Sequence, residues 1–432
     1  MNSLPTFGVE FEFALAANTN PNAPNPDPEE KRKVRFDFDR TPADPYANDN
    51  GVLRDVRETL RTAGFPVANV GDQYDVKVWT VKPDISIGDA DYEWTWYKVE
   101  VTTPAYYYTQ EALDNIKYLC KLITSTYRVS TSPETATGLH VHVGYGRTNF
   151  TLDHIRKFCA FTWAFSPQFN SLHYRDRLNL DLHGSPRQFT QWAVNFFADN
   201  GRQPTGAEGA AFYLGETDYD EFARNVGGSS ARKFTAYNIE QTGTEDSLTK
   251  TIEFRQHRGT LDGEAVVQWV QTVVGLVRYL ENIHPEAFSS LLSVVTHETW
   301  NHDLRIADPT WGIYPNDDLA TERQIGPIVA DGRFTIIDLL KHMKLWGPAR
   351  YYLERGFYKH SDPDAKLERG MSSGPDDGND DPWPSGGGGG GSDGEEEQEE
   401  GDDEIPPRKN AIAPKNTPQN SQKDNGSLAS GM

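Results

Sequence analysis

The decapeptide Thr251-Ile-Glu-Phe-Arg-Gln-His-Arg-Gly-Thr260 decides how the chain is read. Successive side chains of an extended strand point to opposite faces, which puts Glu253, Arg255 and His257 on one side and Ile252 and Phe254 on the other. The same period of two runs through Phe7-Gly-Val-Glu-Phe-Glu-Phe13, where Glu10 and Glu12 share a face. It runs again through Gly138-Leu-His-Val-His-Val-Gly144, where His140 and His142 do. Side by side in one sheet, these strands bring three acids, two imidazoles and a guanidinium to a single concave surface. Such a surface repels itself at neutral pH unless divalent cations lie among the carboxylates.

Working outward, Val76 to Ile87 and Asp91 to Val101 read as an antiparallel pair with a turn at Ile87-Gly-Asp-Ala-Asp91. Glu100 and Thr102 share one face of the second strand, with Val99 and Val101 on the other, until Pro104 ends it. Thr109 is expected to cap a helix with buried positions at Leu113, Ile116, Cys120 and Ile123. Further helices are predicted at Val52 to Ala63, at Leu152 to Phe165 with Pro167 as the stop, at Gly263 to Leu280, at Pro285 to Leu304 and at Ile336 to Arg355. Ala231 to Ile239, carrying Arg232 and Lys233, reads as another strand. Residues 170–230 are aromatic and glycine-rich without a clear period.

Composition limits the possible functions. The 432 residues carry a net charge of -22, against the clustered Lys and Arg that phosphate contacts of nucleic acid require. Residues 361–432 hold 17 acids and 6 bases, so about half of the excess lies there. With the glycine run from Gly386 and the acids from Glu395 to Glu400, residues 359–432 are expected to form a disordered acidic tail. Residues 1–358 then form the folded unit, interrupted by a long loop over 18–50, rich in Asn, Pro and Asp. Cys120 and Cys159 sit in apolar helical patterns, as buried free thiols of a reducing compartment do. The first residues lack a basic start, Glu10 and Glu12 break their apolar run, and Gln268, Gln271 and Arg278 make the most apolar later stretch too polar for a bilayer. A soluble, cytoplasmic protein without membrane or nucleic-acid partners is expected.

Each motif also has a plainer reading. Glu-x-Glu is most often an exposed strand face, His-x-His two structural imidazoles, and Glu253 with Arg255 an ordinary ion pair. Paired carboxylates suit Mg2+, whereas zinc would accept the imidazoles; acids predominate. An arginine beside such acids suits phosphoryl transfer, because its planar fork grips phosphate oxygens. The tyrosines 106 to 108 and Trp79, Trp94 and Trp96 could stack on a nucleobase but are more often core, and no site role is assigned to them. There is no Walker loop and no GxGxxG.

Taken in order, Gly8-Val-Glu-Phe-Glu12, Val99-Glu-Val-Thr-Thr-Pro104, Gly138-Leu-His-Val-His142 and the Thr251 to Thr260 strand resemble the amidoligase family, a branch of the glutamine synthetase and glutamate-cysteine ligase superfamily. The resemblance covers roughly residues 5–280, with 358 as its outer bound. It implies an α+β, glutamine synthetase-like fold, with a cupped, mainly antiparallel sheet backed by helices. It also implies an ATP- and Mg2+-dependent ligase that phosphorylates a carboxylate and lets an amine displace the phosphate, acting on an amino acid or peptide. Glu10, His140 and Glu253 would hold the ion at the transferring phosphoryl group. Glu12 and Glu100, with Glu93 as a further candidate, would hold a second ion. Arg255 would contact phosphate oxygens, with Arg232 as a helper. The long loop, the irregular middle and the acidic tail depart from the family pattern. A metal-dependent hydrolase using the same cluster without ATP, and a binding protein that keeps the fold without catalysis, are the alternatives.

Overall fold

The computed structural model describes residues 4–17, 29–32, 51–69, 76–87, 95–132, 135–173, 177, 184–227, 235–242, 249–297 and 334–355. At its centre stands β1 (Thr6–Ala17), flanked by β3 (Thr95–Thr102) and β6 (Gly138–Gly144). The sheet continues outward through β2 (Thr80–Pro83) on one side, and through β8 (Thr251–Arg258) and β7 (Tyr237–Asn238) on the other. Two short strands, β4 (Tyr106–Tyr107) and β5 (Val129–Ser130), pair with the start and end of β1. Every pairing among these eight strands is antiparallel. The protein is an α+β fold with an open antiparallel sheet backed by helices.

The period of two in the sequence separates the faces. Phe7, Val9, Phe11, Phe13 and Leu15 of β1 join Val99, Val101, Leu139, Val141, Val143, Ile252 and Phe254 in one continuous apolar cluster. Helices α1 (Gly51–Thr62), α2 (Gln110–Thr126), α3 (Leu152–Ala164) and the long helix Gly263–Asn282 cover that cluster. Each buried Phe or Val contributes roughly 1.5–3 kcal/mol, which fixes the register, since a slip of one residue would turn the acids inward. The Thr109 hydroxyl accepts from the Ala112 backbone as the cap of α2. Asp262 caps the long helix through the Glu264 and Ala265 backbone N–H groups. Cys120 and Cys159 are buried free thiols.

The structure corrects several expectations. His257 does not share a face with Glu253 and Arg255. Val141 pairs with Phe254 while Leu139 pairs with His257, so Arg255 and Gln256 together oppose His140. This β-bulge adds one residue and reverses the parity beyond it. His257 therefore lies on the apolar side, 5.5 Å from the Trp269 ring centroid, and burial lowers its pKa to about 4. Helix α3 ends at Ala164, as expected ahead of Pro167, but Pro167 itself sits in the first turn of a further short helix, Ser166–Asn170, where its missing N–H is no loss. The stretch expected as one helix from Ile336 is two, Ile336–His342 and Trp346–Glu354, broken at Lys344 with φ 61°. Helix Pro285–Leu292 passes into a 3-10 turn to His297, and residues 298–304 lie outside the described residues. Between 184 and 227, where no period was legible, Pro186–Phe189, Gln191–Asn200, Gly206–Gly215 and Tyr219–Val226 are helical. Residues 88–91 of the expected turn, most of the 18–50 loop and the 359–432 tail also lie outside the described residues. Within that loop Glu30 pairs with Arg32 at 2.6 Å and with Arg128 at 3.3 Å.

Candidate active site

The open face of the sheet carries its polar groups in rows that follow the strand register. One row runs Lys82, Glu100, Glu12 across β2, β3 and β1. The next runs Thr102, Glu10, His140 across β3, β1 and β6. A third runs Gly8, His142, Glu253, Asn238 across β1, β6, β8 and β7. Directly opposed residues of adjacent antiparallel strands have Cβ atoms about 5 Å apart, so pairing alone brings these side chains into contact.

The contacts are dense. His140 Nδ1 lies 3.1 Å from Glu10 Oε2, 3.5 Å from Glu12 Oε1 and 3.6 Å from Glu253 Oε1. His142 Nε2 is 3.1 Å from Glu10 Oε1, and its Nδ1 is 3.2 Å from the Thr251 hydroxyl. Glu12 Oε2 accepts from the Gly138 backbone N–H at 2.6 Å. Glu100 Oε1 accepts from the Thr102 hydroxyl at 2.9 Å and faces Lys82 Nζ at 2.9 Å. Glu253 Oε2 accepts from Asn238 Nδ2 at 2.8 Å, and its Oε1 pairs with Arg255 Nη1. The Nε of Arg255 is buried with no partner among the described residues.

These groups set each other's charge. Burial opposes the charged form of both imidazoles, yet Glu12, Glu10 and Glu253 raise the pKa of His140, and Glu10 ahead of Glu253 lifts that of His142 to about 9. Burial likewise works against ionised Glu10, but His142 and His140 pull its pKa well below the usual carboxylate range. Glu253 is lowered in the same way, His142 and Arg255 outweighing burial. Glu100 goes the other way: burial and then the charge of Glu10 lift it to about 8 despite Lys82. Burial raises Glu12 against the pull of His140. Four carboxylates thus compete for a limited supply of positive charge.

The residues expected from the sequence are brought together wherever they are described: Glu10, Glu12, Glu100, His140, Glu253 and Arg255 share this face. Glu93 and Arg232 lie outside the described residues, as does Trp94. Trp79 and Tyr106 are core, the indole N–H donating to the Tyr106 hydroxyl at 3.1 Å. Four site residues carry no role in the sequence reading. His142 was expected on this face but not as a ligand, although Glu10, His142 and Glu253 each offer one ligand atom, all within 4.8 Å of one another. Lys82 lay in a recognised strand without a known partner, and Asn238 had no signal of its own. Buried Arg177 donates to the carbonyls of Arg255 at 2.9 Å, Ala136 at 3.4 Å and Gln256 at 3.5 Å. It ties the bulge that aims Arg255 to the left-handed residue Ala136, φ 51°, which precedes β6.

The donor set is four carboxylates and two imidazoles, oxygen-rich and without sulfur, which suits a hard divalent cation such as Mg2+. The partly exposed Arg255 guanidinium beside it suits an anionic group. A helix-backed antiparallel sheet with this cup of acids, imidazoles and arginine on its open face defines a candidate metal- and anion-handling enzyme. The chain belongs to the family described as "Putative amidoligase enzyme", whose model matches residues 5–277, a span that includes all of these side chains. That description points to a ligase-type enzyme. No curated protein matches the sequence. Among the described residues no helix is long and apolar enough to cross a membrane.

Proposed function

We propose that the protein is an ATP- and Mg2+-dependent carboxylate-amine ligase with a glutamine synthetase-like cupped sheet, acting on an amino acid or peptide through an acyl-phosphate. The observation that carries this reading is the convergence on one sheet face of Glu10, Glu12, Glu100, His140, His142 and Glu253 with Arg255, whose guanidinium pairs with Glu253. Membership of a family described as amidoligases supports amide-bond formation as the reaction.

A carboxylate becomes a useful electrophile only when one of its oxygens leaves as phosphate. Its oxygen attacks the terminal phosphorus of ATP and ADP departs. The amine nitrogen then attacks the acyl carbon, phosphate leaves and the amine sheds a proton. Glu10, Glu253 and the imidazoles of His140 and His142 would hold one ion; Glu12 and Glu100, with Glu93, would hold another. Bound Mg2+ would neutralise charge on the phosphate oxygens and hold them in line for transfer. Arg255 grips those oxygens, with Arg232 as a helper. Asn238 and Arg177 fix Glu253 and the Arg255 bulge, so that positioning and electrostatics, rather than a protein nucleophile, supply the catalysis.

With Mg2+ present, ADP release is expected only when a carboxylate and an amine are both supplied, and chelation with EDTA should stop it. A screen of amino acids, polyamines and small peptides by coupled ADP detection tests this. Turnover that needs metal but leaves ATP intact would instead favour the hydrolase, for which the Glu10, His142 and Glu253 cluster is also suited.

A further inference from the structure

The sheet face that carries the cup does not stay open along its whole length. Strand parity puts Ala14 and Ala16 of β1 on the same side as Glu10 and Glu12, yet both alanines are fully buried. Side-chain exposure is 21% at Glu10 and 24% at His142, and only 5% at Glu12, the last acid before the alanines. A methyl group is not hidden by an uncovered sheet, so something stands over this end.

We propose that Glu30, Arg32 and Arg128 form a clasp that holds residues 29–32 across this end of the cup as a wall, keeping bulk water away from an acyl-phosphate formed beside Glu12 and Glu100. The wall rests on geometry, and its consequence for the reaction rests on the ligase reading above.

Contacts among the described residues place the clasp on this face. Trp96 opposes Ala16 from β3 and packs against it. On the other side the Ala16 N–H donates to the Arg128 carbonyl at 2.9 Å, in step with Leu15 opposite Val129 and Ala14 opposite Ser130. Opposed residues of an antiparallel pair share a face, so the Arg128 side chain stands on the side of Ala16. There its Nη1 donates to Glu30 Oε2 at 3.3 Å. Arg32 fixes the same carboxylate from a second direction, Nη2 donating to Oε2 at 2.6 Å and Nε to Oε1 at 2.8 Å. Arg32 Nη1 also donates to the Thr124 carbonyl at 3.4 Å, in the last turn of α2, where a helix end favours a cation. The side chains of Glu30 and Arg128 are only 6% and 7% exposed, so removing either one leaves a buried charge uncompensated. An ordinary surface ion pair between a loop and a strand would leave the two alanines wet. The wall matters because water competes with the amine. A water oxygen that attacks the acyl carbon releases phosphate and regenerates the carboxylate, so that ATP is hydrolysed and no amide forms. A dry end to the cup suppresses that side reaction.

Ser130→Cys reports on the wall, because Ser130 is buried and opposes Ala14 on the covered face. The full-length protein carrying it is treated with a charged methanethiosulfonate, and the modified positions are located by peptide mass spectrometry, with buried Cys120 and Cys159 as internal checks on folding. The introduced thiol should react slowly in the otherwise wild-type chain. Adding Arg128→Met should speed its reaction at least about tenfold, since loss of one member of a buried ion pair loosens what the pair holds. Tyr107→Cys, at an exposed position of β4, should react at one rate with and without Arg128→Met. Should Arg128→Met expose Cys120 or Cys159, the near-isosteric Glu30→Gln replaces it. In Arg128→Met alone, ATP, Mg2+ and the carboxylate that gives the fastest turnover in the screen above, without amine, should yield ADP at least about tenfold faster than in wild type. Equal labelling at position 130 in both backgrounds would overturn the wall, whatever the activity. Faster labelling without faster ADP release would overturn its part in excluding water. A wild type that releases no ADP with any carboxylate and amine would overturn the ligase reading, while the labelling result would still decide the wall.

Discussion

Glu253→Gln is expected to lower ligase turnover by more than about 100-fold, since even the outer partners of metal ligands are worth 10–100-fold, while the fold stays near native. Glutamine keeps the shape, and its one amide oxygen can still accept from Arg255, while its NH2 replaces the oxygen that now accepts from Asn238 and loses that bond. It removes the charge that His140 and His142 share with Glu10, and with it an oxygen donor strong enough for Mg2+. Loss of one acid from a crowded cup also relieves the repulsion that Glu10 and Glu253 exert on each other, which offsets part of the lost pairing with Arg255. The melting temperature should move by only a few degrees, on the order of 1 kcal/mol. Steady-state ADP release and a thermal melt on the same sample check this. Turnover within a factor of two of wild type would remove Glu253 from the site.

Gly138→Ala should be nearly as damaging by a different route. A Cβ at this position would lie 2.6 Å from His140 Nε2, 3.0 Å from Arg177 Nη2 and 3.2 Å from Glu12 Oε2. All three are ends of side chains rather than backbone, so the sheet can accept the methyl group at about 1–3 kcal/mol of overpacking. What must move is the site itself: the imidazole that reaches three carboxylates, the acid held by the Gly138 N–H and the arginine that clamps the bulge. Mn2+ affinity and turnover should fall by at least about tenfold, by analogy with lost outer-layer support, with a cooperative melt retained. Unchanged affinity would mean that His140 and Glu12 do not need their observed positions.

Much of this site was legible because a strand encodes its two faces in alternate residues. Glu10 with Glu12, His140 with His142, and Glu100 with Thr102 were placed by parity, and the apolar partners of each pair form the core as expected. Parity failed after Arg255, where the bulge sends His257 to the apolar side, because no residue in Thr251 to Thr260 marks a local insertion against β6. Lys82, Asn238 and Arg177 enter the site through strand pairing and long-range packing, neither of which leaves a short-range pattern. The helices between 184 and 227 are short and aromatic, without the spacing that reveals longer ones. One signal was there: Thr205-Gly-Ala-Glu208 forms a capping box, its hydroxyl and carboxylate satisfying each other's backbone N–H groups. Likewise the break at Lys344 in the last helical stretch follows from a left-handed residue that composition did not announce.

The whole account depends on divalent cation and ATP phosphates meeting on one sheet face. Phosphorus relaxation of ATP, measured by NMR with Mn2+ and the protein at comparable concentrations, tests this most directly. The phosphate resonances should relax faster with wild-type protein than with free Mn2+ alone, and that enhancement should vanish in Glu253→Gln. An enhancement that is absent in wild type, or that survives loss of Glu253, would contradict it.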